Sequence, residues 1–376
     1  MTSSVGAQKN VPFFHYPDVF KAEEEELLAT IVDVGRRGAF ILQNDLADFE
    51  RQLAEYVGVK HVVGVANATD GLLMALRAAG VGNEDEVIFC SHTMVATAGA
   101  IHYSGAIPVP VECGPDHLMD PASVEAAISD RTKIIMPTQL NGRTCEMTAL
   151  LEIAERHGLG IIEDAAQGLG SRFDGKAAGT FGLAGAVSFY PAKTLGCLGD
   201  GGCVMTDDDV IYEKLLLLRD HGRNRAGEVV AWGGNSRLDN LQAAILKHKL
   251  KSYDQAIEQR RQLARIYQQR LGDIPNLRLP PGPDSDPKHF DIFQNYEIES
   301  ERRDELRDYL AQVGVGTMIQ WGGQGVHQLR ALGFTQQLPY TETLFRRMLM
   351  LPLNTSLSVE DAEYISDHIR GFYRTQ

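Results

Sequence analysis

No stretch of this chain approaches the roughly 20 consecutive apolar residues that a membrane-spanning helix needs, although hydrophobic residues make up 44% of its 376 positions. Insertion into a bilayer is therefore not expected. Positive charge is also in short supply: 36 lysines and arginines face 50 acidic residues, a formal charge of -14. That balance repels a polyphosphate backbone and argues against nucleic acid as a partner. The opening "MTSSVGAQKNVPFFHYPDVF" has no apolar core behind its one lysine, so it does not read as a secretory signal, and a cytoplasmic location is expected. Cys90, Cys113, Cys145, Cys197 and Cys203 are odd in number and contain no CxxC pair. They speak against a disulfide framework and a zinc ribbon, and are expected to be reduced and mostly buried. No metal site is expected.

Two nucleotide signatures are missing as well. "SFYPAKTLGCLGDGG" carries a lysine, Lys193, beside a glycine-rich turn, but Val187 and Ala192 stand where a Walker loop requires glycine. No GxGxxG follows a strand pattern.

What is present is a regular alternation of helix and strand patterns. "NDLADFERQLAEYVG", "ATDGLLMALRAAGVG" and "MTALLEIAERHG" have helical periodicity, while "HVVGVAN", "DEVIFC", "IPVPVEC", "KIIMPTQ", "GIIEDAA", "AGAVSFY" and "GGCVMTDD" read as buried strands. This spacing predicts an α/β fold with a mostly parallel sheet whose ligands gather beyond the strands' carboxyl ends. "DNLQAAILKHKLKSYDQAIEQRRQLARIYQQRLG" predicts a long helix broken once, and the proline-rich "DIPNLRLPPGPDSDPKHF" follows it. The expected division is a large domain over residues 1–250, whose first 30 residues could pack on its neighbour, and a smaller α+β domain over 251–376.

The chemistry-bearing residues lie at such strand ends. Asp164 closes an apolar strand, where a buried carboxylate needs a partner. Pyridoxal phosphate presents two complementary needs, an acid facing its protonated ring nitrogen and a lysine for its aldehyde. Asp164 and Lys193 are candidates for these roles. "VGVANATDGLLMAL" ends a strand and opens a helix at Ala68 and Thr69, where free N–H groups attract a phosphate; simple N-capping by Thr69 or Asp70 explains the same residues equally well. Ser188 could add a hydroxyl.

Taken in order, "NATDGLLMALRAAGVGNEDEVIFCSHTMVATAGAI", "IEDAAQGLGS", "SFYPAKTLGCLGDGG", "LRDHGRN", "GGNSRLDNLQAAIL" and "LPYTETLFRRMLMLPL" resemble the DegT/DnrJ/EryC1/StrS sugar aminotransferases over about residues 10 to 370. The resemblance implies the aspartate-aminotransferase-like fold, fold type I among pyridoxal phosphate enzymes, with a seven-stranded large-domain sheet. It makes Lys193 the Schiff-base lysine and proton shuttle, Asp164 the partner of the ring nitrogen, and Gln167 the neighbour of the phenolic oxygen. Ala68, Thr69 and Ser188 would surround the phosphate. Asn235 would reach the phosphate of a neighbouring subunit, which implies a homodimer with shared active sites.

Departures from the family pattern are informative. Met94 stands where an aromatic residue usually stacks on the cofactor, with His92 nearby. Gln139 and Asn141 replace residues of an "HLYG"-like motif, and Gln320 and Trp321 replace a histidine and tyrosine pair, while His327 is kept. With Arg237, these residues are the candidates for substrate contacts. The implied activity is transfer of an amino group from L-glutamate to a nucleotide-linked keto sugar, with pyridoxamine phosphate formed in turnover, in amino-sugar biosynthesis for a surface polysaccharide such as lipopolysaccharide O-antigen or a glycosylated metabolite. A keto-cyclitol or another non-nucleotide keto sugar is the alternative substrate. Relatives that dehydrate deoxysugars carry histidine in place of the lysine, so Lys193 argues against that branch. A non-catalytic regulator built on the same fold is the competing class.

Overall fold

Valine- and isoleucine-rich runs form the centre of the molecule because both faces of a parallel sheet are buried. In the computed structural model, which describes residues 9–374, the strands are β1 (His61–Val65), β2 (Glu86–Cys90), β3 (Ile107–Val111), β4 (Thr132–Met136), β5 (Gly160–Asp164), the short hairpin β6 (Arg172–Phe173) and β7 (Lys176–Ala177), β8 (Ala184–Ser188) and β9 (Gly202–Thr206). Seven of them build one sheet in the order β1-β9-β8-β5-β4-β2-β3. Neighbours β3, β2, β4, β5 and β8 run parallel, whereas β9 is antiparallel to both β8 and β1.

The helices between these strands start and stop where local chemistry dictates. Asn67 caps the helix Ala68–Ala78 by accepting the Asp70 N–H at 2.8 Å. Helices Asn44–Val57 and Met147–His157 end at Gly58 and Gly158, whose φ values of 81° and 65° suit glycine. The long helical pattern after Asp239 breaks at Lys251 and Ser252 into Asn240–Leu250 and Tyr253–Leu271.

The later strands are β10 (Leu277–Arg278), β11 (His289–Phe290), β12 (Tyr296–Ser300) and β13 (Met348–Leu351). β10, β12 and β13 make a second, antiparallel sheet, and β11 returns to pair with β6. A separate apolar cluster, including Tyr267, Tyr296, Leu306 and Ile365, joins this sheet to the helices Tyr253–Leu271, Arg303–Gln312 and Val359–Arg374. Val11 belongs to the same cluster and bridges Val315, with hydrogen bonds of 2.8 Å to Gly314 and from Gly316. We propose the turn at 251–252 as the boundary between the two units. Met318 bridges Met350, and Trp321 sits at φ 47° in a tight turn.

Candidate active site

The segments that follow β1, β2, β4, β5 and β8 converge at the carboxyl ends of the parallel strands and enclose a cavity of about 300 Å³. Ala68, Thr69, Met94, Asp164, Gln167, Ser188 and Lys193 line it, and so does Trp321 from the turn before β13. Of the residues expected around a cofactor, Asn235 stands apart, exposed on the segment that bridges back to Asp220.

Lys193 and Asp164 face this cavity from different loops. Burial lowers the Lys193 amine to about 8, against the pull of the Asp164 charge. Its ammonium has no ion-pair or hydrogen-bond partner among the described residues. Burial pushes Asp164 up, and this is opposed by hydrogen bonds from the Thr97 hydroxyl at 2.7 Å and the Ala166 N–H at 3.1 Å and by the charge on Lys193. Among the described residues no cation lies within salt-bridge distance of the buried Asp164 carboxylate, an arrangement that is costly unless a cationic group is bound beside it. Glu163, its neighbour, is fully used elsewhere: its oxygens accept the N–H groups of Gly179 and Phe181 at 2.6 Å and the Gln139 amide at 2.7 Å.

The loop carrying Lys193 is held from the second unit. Gln294 accepts both the N–H and the hydroxyl of Thr194 at 2.7 Å and donates to the Ala192 carbonyl at 2.9 Å. Across the cavity, the first turn of the helix Ala68–Ala78 presents open N–H groups. Gly202 makes this approach possible, because a Cβ there would stand 2.6 Å from the Asn67 carbonyl carbon and 2.7 Å from the Ala68 nitrogen. Ser188, on the neighbouring strand end, accepts the Tyr190 N–H at 3.3 Å.

A line of amides fixes Gln167. Its Oε1 accepts the Asn141 N–H at 2.9 Å and the Asn295 amide at 3.2 Å, so its own NH₂ remains as the donor. Asn141 Oδ1 accepts from Asn295 at 2.9 Å and from Gln320 at 2.8 Å. Gln320 also donates at 2.8 Å to Glu297, a buried carboxylate bonded to His117 at 2.7 Å. Burial would raise Glu297, but His92 and His117 hold it well below the usual carboxylate range.

Several residues expected to contact substrate do not reach the cavity wall. His92 is fully buried, with Nδ1 on the His117 carbonyl at 2.9 Å. Gln139 spends its amide on Glu163 and its carbonyl on the Cys145 N–H at 2.7 Å. His327 is buried between Ser91 at 2.6 Å and Glu342 at 3.2 Å. Asn141 and Gln320 stand one step behind Gln167, and Arg237 is paired with Asp220 at 2.9 Å. Conversely, Thr97, Gln294, Asn295 and Glu297 support the site without having been singled out in the sequence.

Residues 21–370 match the DegT/DnrJ/EryC1/StrS aminotransferase family, and the chain belongs to it. It is 38% identical to the dTDP-3-amino-3,4,6-trideoxy-alpha-D-glucose transaminase of Streptomyces venezuelae, over 98% of this chain and 97% of that protein. It is also 38% identical to a protein named pleiotropic regulatory protein from Geobacillus stearothermophilus, over 97% and 99% of the two chains. The fold superimposes on the crystal structure of S. venezuelae DesV in complex with a ketimine intermediate with a TM-score of 0.93, at 38% identity, covering 97% of this chain and 98% of that one.

Proposed function

We propose that this member of the DegT/DnrJ/EryC1/StrS family transfers an amino group from L-glutamate to the ketone of a nucleotide-linked deoxysugar, using pyridoxal phosphate held between Lys193, Asp164 and the helix Ala68–Ala78. The observation that carries the reading is the meeting, in one cavity, of a lysine with a lowered pKa, a buried carboxylate without a cation, and an open helix N-terminus. The name of the Streptomyces relative points to carbon 3 as the position aminated.

The residues present fit the cofactor. Asp164 has no ion-pair partner among the described residues, a place that a protonated ring nitrogen would fill, and the missing side chain of Gly202 leaves the helix start accessible to a phosphate. When bound, pyridoxal phosphate supplies an aldehyde for the lysine and a protonated ring that accepts the electron pair released at a substrate carbon. Asp164 holds the ring nitrogen, the Ala68 and Thr69 backbone with Ser188 holds the phosphate, and the Gln167 amide donates to the phenolic oxygen. Lys193 removes the α-proton of the amino donor and later returns a proton to the sugar carbon that receives the amine. A pKa of about 8 keeps part of the Lys193 population neutral near pH 7 and so able to accept that proton. Met94 and Trp321 form apolar parts of the wall.

A second copy of the chain completes the site in this reading. The segment 221–235 carries Asn235, Val229, Val230 and a Trp232 that is 97% exposed. Such a surface suits burial against a partner, whose cofactor phosphate Asn235 would reach. The buried free cysteines are in keeping with a reducing cytoplasm. The aminated sugar is destined for a surface polysaccharide or a glycosylated metabolite.

The test is a panel of dTDP- and UDP-linked 3-keto and 4-keto sugars incubated with ¹⁵N-glutamate. A labelled amino sugar is expected; no label on any sugar, together with no glutamate-driven conversion of the cofactor, contradicts the proposal. The name of the Geobacillus relative favours a second reading as a regulator. Full biological function of a Lys193→Ala protein would support that reading instead.

A further inference from the structure

Three buried threonines lie in a row behind Asp164. Thr138 bonds Thr93 at 3.0 Å, Thr93 bonds Thr97 at 2.8 Å, and Thr97 bonds Asp164 Oδ2 at 2.7 Å. Each hydroxyl owns a single hydrogen. If Asp164 is ionised it can only accept, so Thr97 must give its hydrogen to Asp164, Thr93 to Thr97, and Thr138 to Thr93. Every hydrogen then has an acceptor.

If Asp164 carried a proton on Oδ2, the row would run backwards and the Thr138 hydroxyl would lack an acceptor among the described residues. The row is rigid at both ends. Thr138 is tied to Asp164 through the main chain, by Gln139 N–H to Asp164 C=O at 2.8 Å and Asp164 N–H to Pro137 C=O at 2.9 Å. Thr97 is anchored in the first turn of the helix Val95–Ser104.

We propose that Thr138, Thr93 and Thr97 are positioning residues that form a one-way hydroxyl chain and hold Asp164 as an anion, so that a ring nitrogen bound beside it stays protonated. Burial alone favours a neutral carboxyl, and a neutral Asp164 would not stabilise the protonated ring. The chain opposes this without bringing in a second cation, which would compete with the ring for the carboxylate. The inference rests on the cofactor reading given above.

The experiment follows the ¹⁵N NMR signal of the ring nitrogen in holoprotein loaded with ¹⁵N-labelled pyridoxamine phosphate, titrated with pH. Thr97→Val should shift the balance of the shared proton from the ring nitrogen toward Asp164 by about ten- to a hundredfold, the worth of a hydrogen bond to a charged group, read as movement of the ¹⁵N signal at neutral pH toward its unprotonated position. Thr97→Ser, which keeps the hydroxyl, should restore the signal, and Thr93→Val should give a smaller shift in the same direction. An unchanged signal position in Thr97→Val, or equal shifts in the valine and serine variants, overturns the proposal. Should Thr97→Val fail to fold, Thr138→Val at the cavity wall carries the same test, with a smaller shift in the same direction expected and no shift counting against it. Asp164→Asn separates the two levels: if it leaves the nitrogen signal unmoved, the placement of the cofactor is at fault rather than the hydroxyl chain.

Discussion

Gln294 grips Thr194 twice, accepting its N–H and its hydroxyl at 2.7 Å each, and so clamps the residue next to Lys193 from another part of the chain. Gln294→Met keeps the volume and removes these acceptors, leaving the Thr194 N–H and the Ala192 carbonyl unpaired. Stability is expected to fall by about 1–3 kcal/mol. Turnover should fall at least tenfold, because small displacements of a catalytic group are costly. Thermal denaturation and steady-state kinetics check both; wild-type turnover in a destabilised protein would show that the clamp does not position Lys193.

The lowered pKa of Lys193 predicts a kinetic signature. The neutral amine is the nucleophile, so the rate at which the apo protein takes up pyridoxal phosphate should rise with pH through about 8 rather than near 10.5. Asp164 pulls the lysine upward, so Asp164→Asn should move this midpoint lower. A midpoint that moves up in the variant contradicts the electrostatic coupling.

Gly202→Ala should damage phosphate binding specifically. Its Cβ would press on the Asn67 and Ala68 backbone, a strain worth about 1–3 kcal/mol, and the affinity for pyridoxamine phosphate should drop about tenfold or more. Gly199→Ala meets only the end of the Gln242 side chain at 3.3 Å and serves as the control. Equal affinities in the two variants would show that the helix start does not hold the phosphate.

His117 predicts a pH dependence of stability. Burial lowers its pKa, but bonds to Glu297 at 2.7 Å and Glu299 at 2.9 Å outweigh burial and raise it to about 9. The folded state therefore binds a proton more tightly than the unfolded one. This contribution is complete below about pH 6.5 and is lost as pH rises through about 9. His117→Asn, which tolerates the φ of 68° at this position, should unfold more easily than wild type at pH 6, with the difference shrinking toward pH 9.5. Denaturant titrations at several pH values measure it; a constant difference would place the stabilisation elsewhere.

The strands, the sheet buried on both faces and the residues that line the cavity were legible because each is a local pattern. Apolar runs end at Asp164 and Ser188, and a small-residue segment opens a helix at Ala68. Thr97 was not legible, since a threonine within "TMVATAGAI" looks like any helix residue until Asp164 is brought against it from 67 positions away. Gln294 and Asn295 carry no local pattern of their own, and their partners lie more than 90 residues upstream. Met94, Gln139 and Asn141 stood out by their residue type, yet type does not reveal direction: Met94 is 55% exposed at the wall, while Gln139 turns inward to Glu163. The role proposed for Asn235 comes only from the family resemblance, because its expected contact is with another copy.

Borohydride reduction of the protein loaded with pyridoxal phosphate, followed by peptide mapping, tests the central claim most directly. The account predicts one stable phosphopyridoxyl group, on Lys193, and its absence when excess glutamate is added before the reductant. A label on any other lysine, or none on Lys193, would contradict it.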